Sequence, residues 1–227
     1  MRALFTQTGL KLLAIVAMTL NHVAHLFPLP SIWNEAFLNI GMIAMPLFAK
    51  FIAEGFCHTR RRDKYFGRMV VFSIPAHFAY RFAFSAGGSL SSAMTTLTLA
   101  LFILFLFHTE TLPEQVRTAL IIICLVFTIP SDWGMCAALW ALVFDKFRED
   151  KMEQIFYFTL VGLFNGVVFG LLFGFRLTLF TFVLAIPFLA LYNGQRGNAP
   201  KWLKWAEYVY YPAHLVALRL LSTLVLT

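Results

Sequence analysis

The residues able to do chemistry in this sequence are ionisable groups set inside apolar runs. One run reads LKLLAIVAMTLNHVAHLF. It carries Lys11, Met18, His22 and His25 at spacings that put them on one face of a helix. A second run carries Lys50 and Glu54 at i and i+4, after Pro46 and ahead of the basic cluster His58, Thr59, Arg60, Arg61 and Arg62. His77 and Arg81 follow Pro75 at the same spacing, Asp132 lies in the turn at 130–133, and His214 follows Pro212 in WAEYVYYPAHLVALRLL. An ionisable side chain at mid-membrane depth costs ~2.5–3.5 kcal/mol on insertion scales, so each such residue implies a partner or a role. An imidazole at His22 is suited to general-base work near neutral pH. Asn21 and His25 carry N–H groups able to steady an oxyanion. Three consecutive arginines, with His58 and Lys64, can hold a polyphosphate through charge-assisted bonds.

Each group also has a plainer reading. His22 and His25 can hydrogen-bond to neighbouring helices at one end of the bundle, and Lys50 and Glu54 can neutralise each other. The arginines can simply set topology, Arg81 can snorkel to the surface, and Asp132 can serve as a turn former. The tyrosines beside Glu207 read as an aromatic belt, and Asn165 reads as a helix-packing residue.

Positioning these groups requires apolar elements, and the composition supplies them. Of 227 residues, 60% are hydrophobic and 13% charged. Soluble domains carry about 25% charged residues, and here the mean hydropathy is +0.76. The chain therefore reads as all-α: a polytopic membrane helix bundle forming one integral membrane domain over 1–227. Nine spans are expected, with eight to ten allowed, at 9–27, 36–56, 65–84, 93–107, 117–129, 134–144, 155–173, 177–192 and 205–226. Backbone polar groups in hydrocarbon must be satisfied internally, which makes the spans helices.

Lys and Arg cluster in every second link. Arg60, Arg61, Arg62, Lys64 and Arg68 follow span two; Arg117 follows span four; Lys146, Arg148 and Lys151 follow span six; Arg196, Lys201 and Lys204 follow span eight. Arg2 and Lys11 stand at the N-terminus. This positive-inside pattern places the N-terminus in the cytoplasm and accounts for the net charge of +7 without nucleic acid. No signal-peptide cleavage site is apparent. Cys57, Cys124 and Cys136 form neither a disulfide framework nor a metal motif, and no phosphate-binding glycine loop or HExxH occurs.

The segments GLKLLAIVAMTLNH, AMPLFAKFIAEGFCHTR, DWG and YYPAHL, in that order over nearly the whole chain, resemble the TraX-type membrane acetyltransferases, the family of the F-pilin acetylase. The resemblance implies a transmembrane acyltransferase-like bundle in the bacterial cytoplasmic (inner) membrane. It implies acetyl-CoA as co-substrate and an amine acceptor (a pilin-like peptide N-terminus) or a hydroxyl acceptor. It also makes His22 the expected catalytic residue. Asn21 stands where the family usually has Asp, and Lys50 where an apolar residue is usual. On this reading His58, Arg60, Arg61, Arg62 and Lys64 grip the donor's phosphates. Lys50 and Glu54 line a slot for its pantetheine arm, while Asn21, Asp132 and His214 serve His22 or the acceptor. Direct transfer and an acetyl-imidazole intermediate are both open. The alternative class is a small proton- or ion-coupled transporter using the same buried charges, although the chain shows no matching inverted halves.

Overall fold

The computed structural model describes residues 4–84, 89–198 and 203–226. Arg2 and Lys201, counted above among the cytoplasmic charges, lie outside the described residues, as does the side chain of Lys204.

Regular structure among these residues is helical. The helices are α1 (Gln7–Leu26), α2 (Ser31–Gly41), α3 (Ala44–His58), α4 (Arg62–Ala83), α5 (Ala93–Phe107), α6 (Glu114–Thr128), α7 (Gly134–Lys146) and α8 (Lys151–Phe173). A 3-10 segment (Leu177–Ala185) then leads into α9 (Ile186–Ala190), and α10 (Leu203–Leu226) closes the chain. Several starts carry side-chain caps. Thr6 accepts from the Gly9 amide, Ser92 from Thr95, and Asp150 from Met152 and Glu153, each satisfying amides that a first helical turn leaves free.

Among the described residues, three stretches are long and apolar enough to cross a membrane: Gln7–Leu26, Ser31–His58 taken across its break, and Lys151–Leu172. Ala93–Phe107 and Leu177–Ala190 are apolar but shorter.

Two expected spans differ from the observed elements. The span expected at 36–56 starts earlier, at Ser31, and is interrupted at Met42 and Ile43 between α2 and α3. Pro46 sits in the first turn of α3, where its missing N–H is harmless, and its ring excludes the carbonyl four residues back, at Met42. The span expected at 177–192 is mostly 3-10 helix. Its phenylalanines press against a glycine face of α8. A Cβ on Gly162 would meet the Phe182 ring at 2.3 Å, so only glycine permits this approach.

α1 packs on α2, α3 and α10; α10 packs on α4, α4 on α5, and α5 and α3 on α7. The core between them holds Leu10, Leu47, Leu101, Trp140 and Phe158, and Trp140 donates its indole N–H to the Phe158 carbonyl at 3.0 Å. This ring of helices surrounds the site described next.

Candidate active site

A cavity of about 510 Å³ lies among α1, α3, α4, α5 and α10, within the size range of small-ligand sites. Its lining extends from Thr8, His58, Thr59 and Arg196, at the end of the bundle that carries the arginine cluster, to Asn21, His22, Asp132 and Trp133 at the other end.

His22, on α1, is 5% exposed and its Nδ1 lies 2.7 Å from Nε2 of His214 on α10. The rings stack with centroids 5.0 Å apart. Nδ1 of His214 lies 2.8 Å from the Tyr210 carbonyl. A carbonyl only accepts, so that nitrogen carries the hydrogen. With both rings neutral, His214 Nε2 must accept, and His22 Nδ1 must donate to it. His22 Nε2 is then left unprotonated, with no hydrogen-bond partner among the described residues, on a ring that lines the cavity. Tyr210 is itself held in place: its hydroxyl lies 2.8 Å from Thr19 Oγ1, which donates in turn to the Ile15 carbonyl.

Asn21 lines the cavity, but its amide donates to the Leu38 carbonyl of α2 at 3.4 Å. It packs where Gly41 lacks a side chain; a Cβ there would stand 2.4 Å from the Asn21 Cβ. The group that orients His22 is thus His214, 192 residues away, and the neighbouring residue 21 serves the α1–α2 contact. Asp132 also reaches the cavity. Its Oδ1 accepts from the Tyr80 hydroxyl at 3.3 Å, and Tyr80 accepts from the Ser89 amide. The loop carrying Asp132 is stapled to the start of α5: Leu90 N–H donates to the Pro130 carbonyl, Asp132 N–H to Ser91, and Thr96 Oγ1 to Ser131. Burial pushes the Asp132 carboxyl up to about 6.

At the other end, the residues expected to grip a donor do not all reach the cavity. His58 lines the cavity, but Arg60, Arg61, Arg62 and Lys64 are exposed and do not appear among its lining residues. Arg61 pairs with Asp63 at 2.8 Å and holds that carboxyl down to about 2. Arg62 donates to the Phe56 carbonyl and stacks on the Phe56 ring, closing the C-terminus of α3. Lys11, Arg68 and Arg196 supply the basic lining instead. Lys11 pairs with Glu207 at 2.7 Å. Arg68 has a buried Nε–H without an acceptor among the described residues, an orphan that an anionic ligand would satisfy. Arg68 and Arg196 carry no sequence signal beyond their part in the topogenic charge pattern.

Lys50 and Glu54 are buried, and only Glu54 reaches the cavity. They approach to 3.8 Å, but each has a closer partner. Lys50 donates to Gln154 Oε1 at 3.0 Å, while Glu54 accepts from the Tyr192 hydroxyl at 2.7 Å and from Gln7 Nε2 at 3.0 Å. These bonds tie α3 to α1, α8 and the segment after α9.

Among the described residues no group of His, Cys, Asp and Glu is arranged to hold a metal ion. No solved structure matches the chain significantly. A curated relative, the probable fimbrial assembly protein FimC, serogroup H1, of Dichelobacter nodosus, is 28% identical over 232 residues, covering 94% of this chain and 94% of its own. The family described as TraX protein matches residues 6–222. The match takes in both histidines, the cavity and every helix from α1 to α9, and on it the chain belongs to the TraX family.

Proposed function

We propose that the chain is a polytopic membrane acyltransferase that moves an acetyl group from acetyl-CoA to an amine, a pilin-like peptide N-terminus by preference over a hydroxyl. The observation that carries this reading is the hydrogen-bond chain from the Tyr210 carbonyl through His214 to His22, which leaves a neutral imidazole with a free Nε2 at one end of a cavity. The basic groups at the other end of that cavity suit the donor's phosphates.

The fimbrial assembly name of the Dichelobacter relative supports a pilin-like acceptor. Exposed Phe78, Phe127, Leu171 and Leu224 suit contact with lipid. The positive-inside pattern supports an N-terminus and an arginine cluster on the cytoplasmic side of a bacterial inner membrane. Arg60, Arg61, Arg62 and Lys64 then serve as topogenic charges on the rim. The donor's phosphates bind inside it, at His58, Lys11, Arg68 and Arg196, and the pantetheine arm runs past Glu54 toward His22.

In the reaction, the acceptor nitrogen attacks the thioester carbonyl while His22 Nε2 takes its proton. A base so placed contributes ~100–10,000-fold. Asp132, at the same end as His22, is placed to hold the acceptor amine. The test is His22→Ala in detergent with labelled acetyl-CoA and a short peptide bearing a free N-terminal amine. Transfer is expected to fall by at least ~100-fold with acetyl-CoA binding retained, and turnover at the wild-type rate would overturn the assignment.

A further inference from the structure

We infer that His214 stores the transferred proton: it takes the Nδ1 proton of His22 as His22 Nε2 takes one from the acceptor. This rests on the acetyl-transfer reading above. The two ring nitrogens are 2.7 Å apart, inside a buried pair of stacked imidazoles. Among the described residues no carboxylate hydrogen-bonds to either ring; Asp132 is bonded to Tyr80, and Glu207 to Lys11. A cation confined to His22 would therefore be buried with no carboxylate hydrogen-bonded to its ring.

His214 is better equipped to carry it. Its Nδ1–H already donates to the Tyr210 carbonyl, and its ring lies parallel to the Tyr210 ring, with centroids 4.8 Å apart and planes inclined by 7°. An imidazolium there meets a carbonyl oxygen and an aromatic face, both of which strengthen as charge develops. Thr19 prevents Tyr210 from turning away.

The step balances as follows. The acceptor nitrogen forms its bond to the thioester carbon and gives a proton to His22 Nε2, while His22 Nδ1–H passes to His214 Nε2. Positive charge rests on His214, and His22 remains neutral. When the adduct collapses, the C–S bond breaks and the thiolate takes the Nε2 proton of His22. In the same movement His214 Nε2–H returns to His22 Nδ1, so neither ring passes through an anion. The products are the acetylated amine and the free thiol, and both rings regain their starting tautomers.

The experiment compares wild type with His214→Gln, whose side-chain oxygen accepts from His22 Nδ1 but cannot hold a proton. Acetyl-CoA and the amine peptide serve as probes, and rates are taken across H₂O–D₂O mixtures. The expected result is a curved dependence of kcat on deuterium fraction in wild type, reporting two protons in flight. His214→Gln should lower kcat at least about 10-fold with both KM values within about 2-fold, and its dependence should become linear. A linear wild-type dependence, or a variant with wild-type kcat, overturns the relay while leaving His22 as base; unimpaired His22→Ala overturns the base itself. Histidine ¹⁵N spectra of the wild type need no turnover. They should show Nδ1–H on both rings, and an Nε2–H tautomer at His22 would refute the proposal.

Discussion

Glu54→Gln isolates the part played by the buried charges of α3. The substitution keeps the side chain's shape and an oxygen for Tyr192, and removes the negative charge 3.8 Å from Lys50 Nζ. At an effective dielectric constant of ~20, two unit charges at that distance attract by ~4 kcal/mol. Loss of one member of a buried pair typically costs ~3–5 kcal/mol, because the other charge stays in place. Among the described residues, Lys50 would keep only Gln154 Oε1 as a polar partner. With an unfolding entropy of ~2.1 cal/mol/K per residue, a chain of 227 residues loses ~2 °C of Tm per kcal/mol, which gives a fall of ~6–10 °C. Adding Lys50→Met removes the stranded cation and should recover most of that fall, since buried pairs replaced by apolar groups are often neutral or better. Thermal unfolding in detergent reads both variants. A single variant within ~2 °C of wild type, or a double variant no more stable than the single, would refute the assignment of this pair to holding α3 in place.

Arg68→Gln should raise KM for acetyl-CoA ~10–100-fold, the loss expected for one charge-assisted bond worth ~1.5–3 kcal/mol. Arg61→Gln, already engaged with Asp63 at the surface, should change it by less than ~2-fold. The reverse ranking would return the donor site to the arginine cluster. Asp132 carries a pH signature: its carboxyl is raised from 3.8 to about 6, so the fold favours the protonated form. That contribution is whole below pH 3.8 and is lost as pH rises through 6. Asp132→Asn should therefore stabilise the protein above pH 6 by ~1–3 kcal/mol and confer no gain below pH 4. Unfolding measured across this range would count against the reasoning if the difference between the two proteins did not change with pH.

Helical content was legible in the sequence because apolar runs are a local property. Helix ends were less so: the side-chain caps Thr6, Ser92 and Asp150 and the break at Met42 and Ile43, upstream of Pro46, are seen in the folded chain. His22, His214, Lys50 and Glu54 stood out for a local reason too, since each is a polar group in an apolar run. The i,i+4 spacing likewise showed that Lys50 and Glu54 share a face, and it places the Tyr210 carbonyl within reach of His214. What spacing on one helix does not determine is which other helix that face meets. His22 finds His214 across 192 residues and Lys50 finds Gln154 across 104, and both pairings depend on how α1, α3, α8 and α10 pack. The arginines teach the same lesson from the other side. Their density is a property of the sequence, but burial is a property of the packed bundle. It leaves Arg60, Arg61 and Arg62 in solvent and turns Arg68 into the cavity, where an anion could meet it.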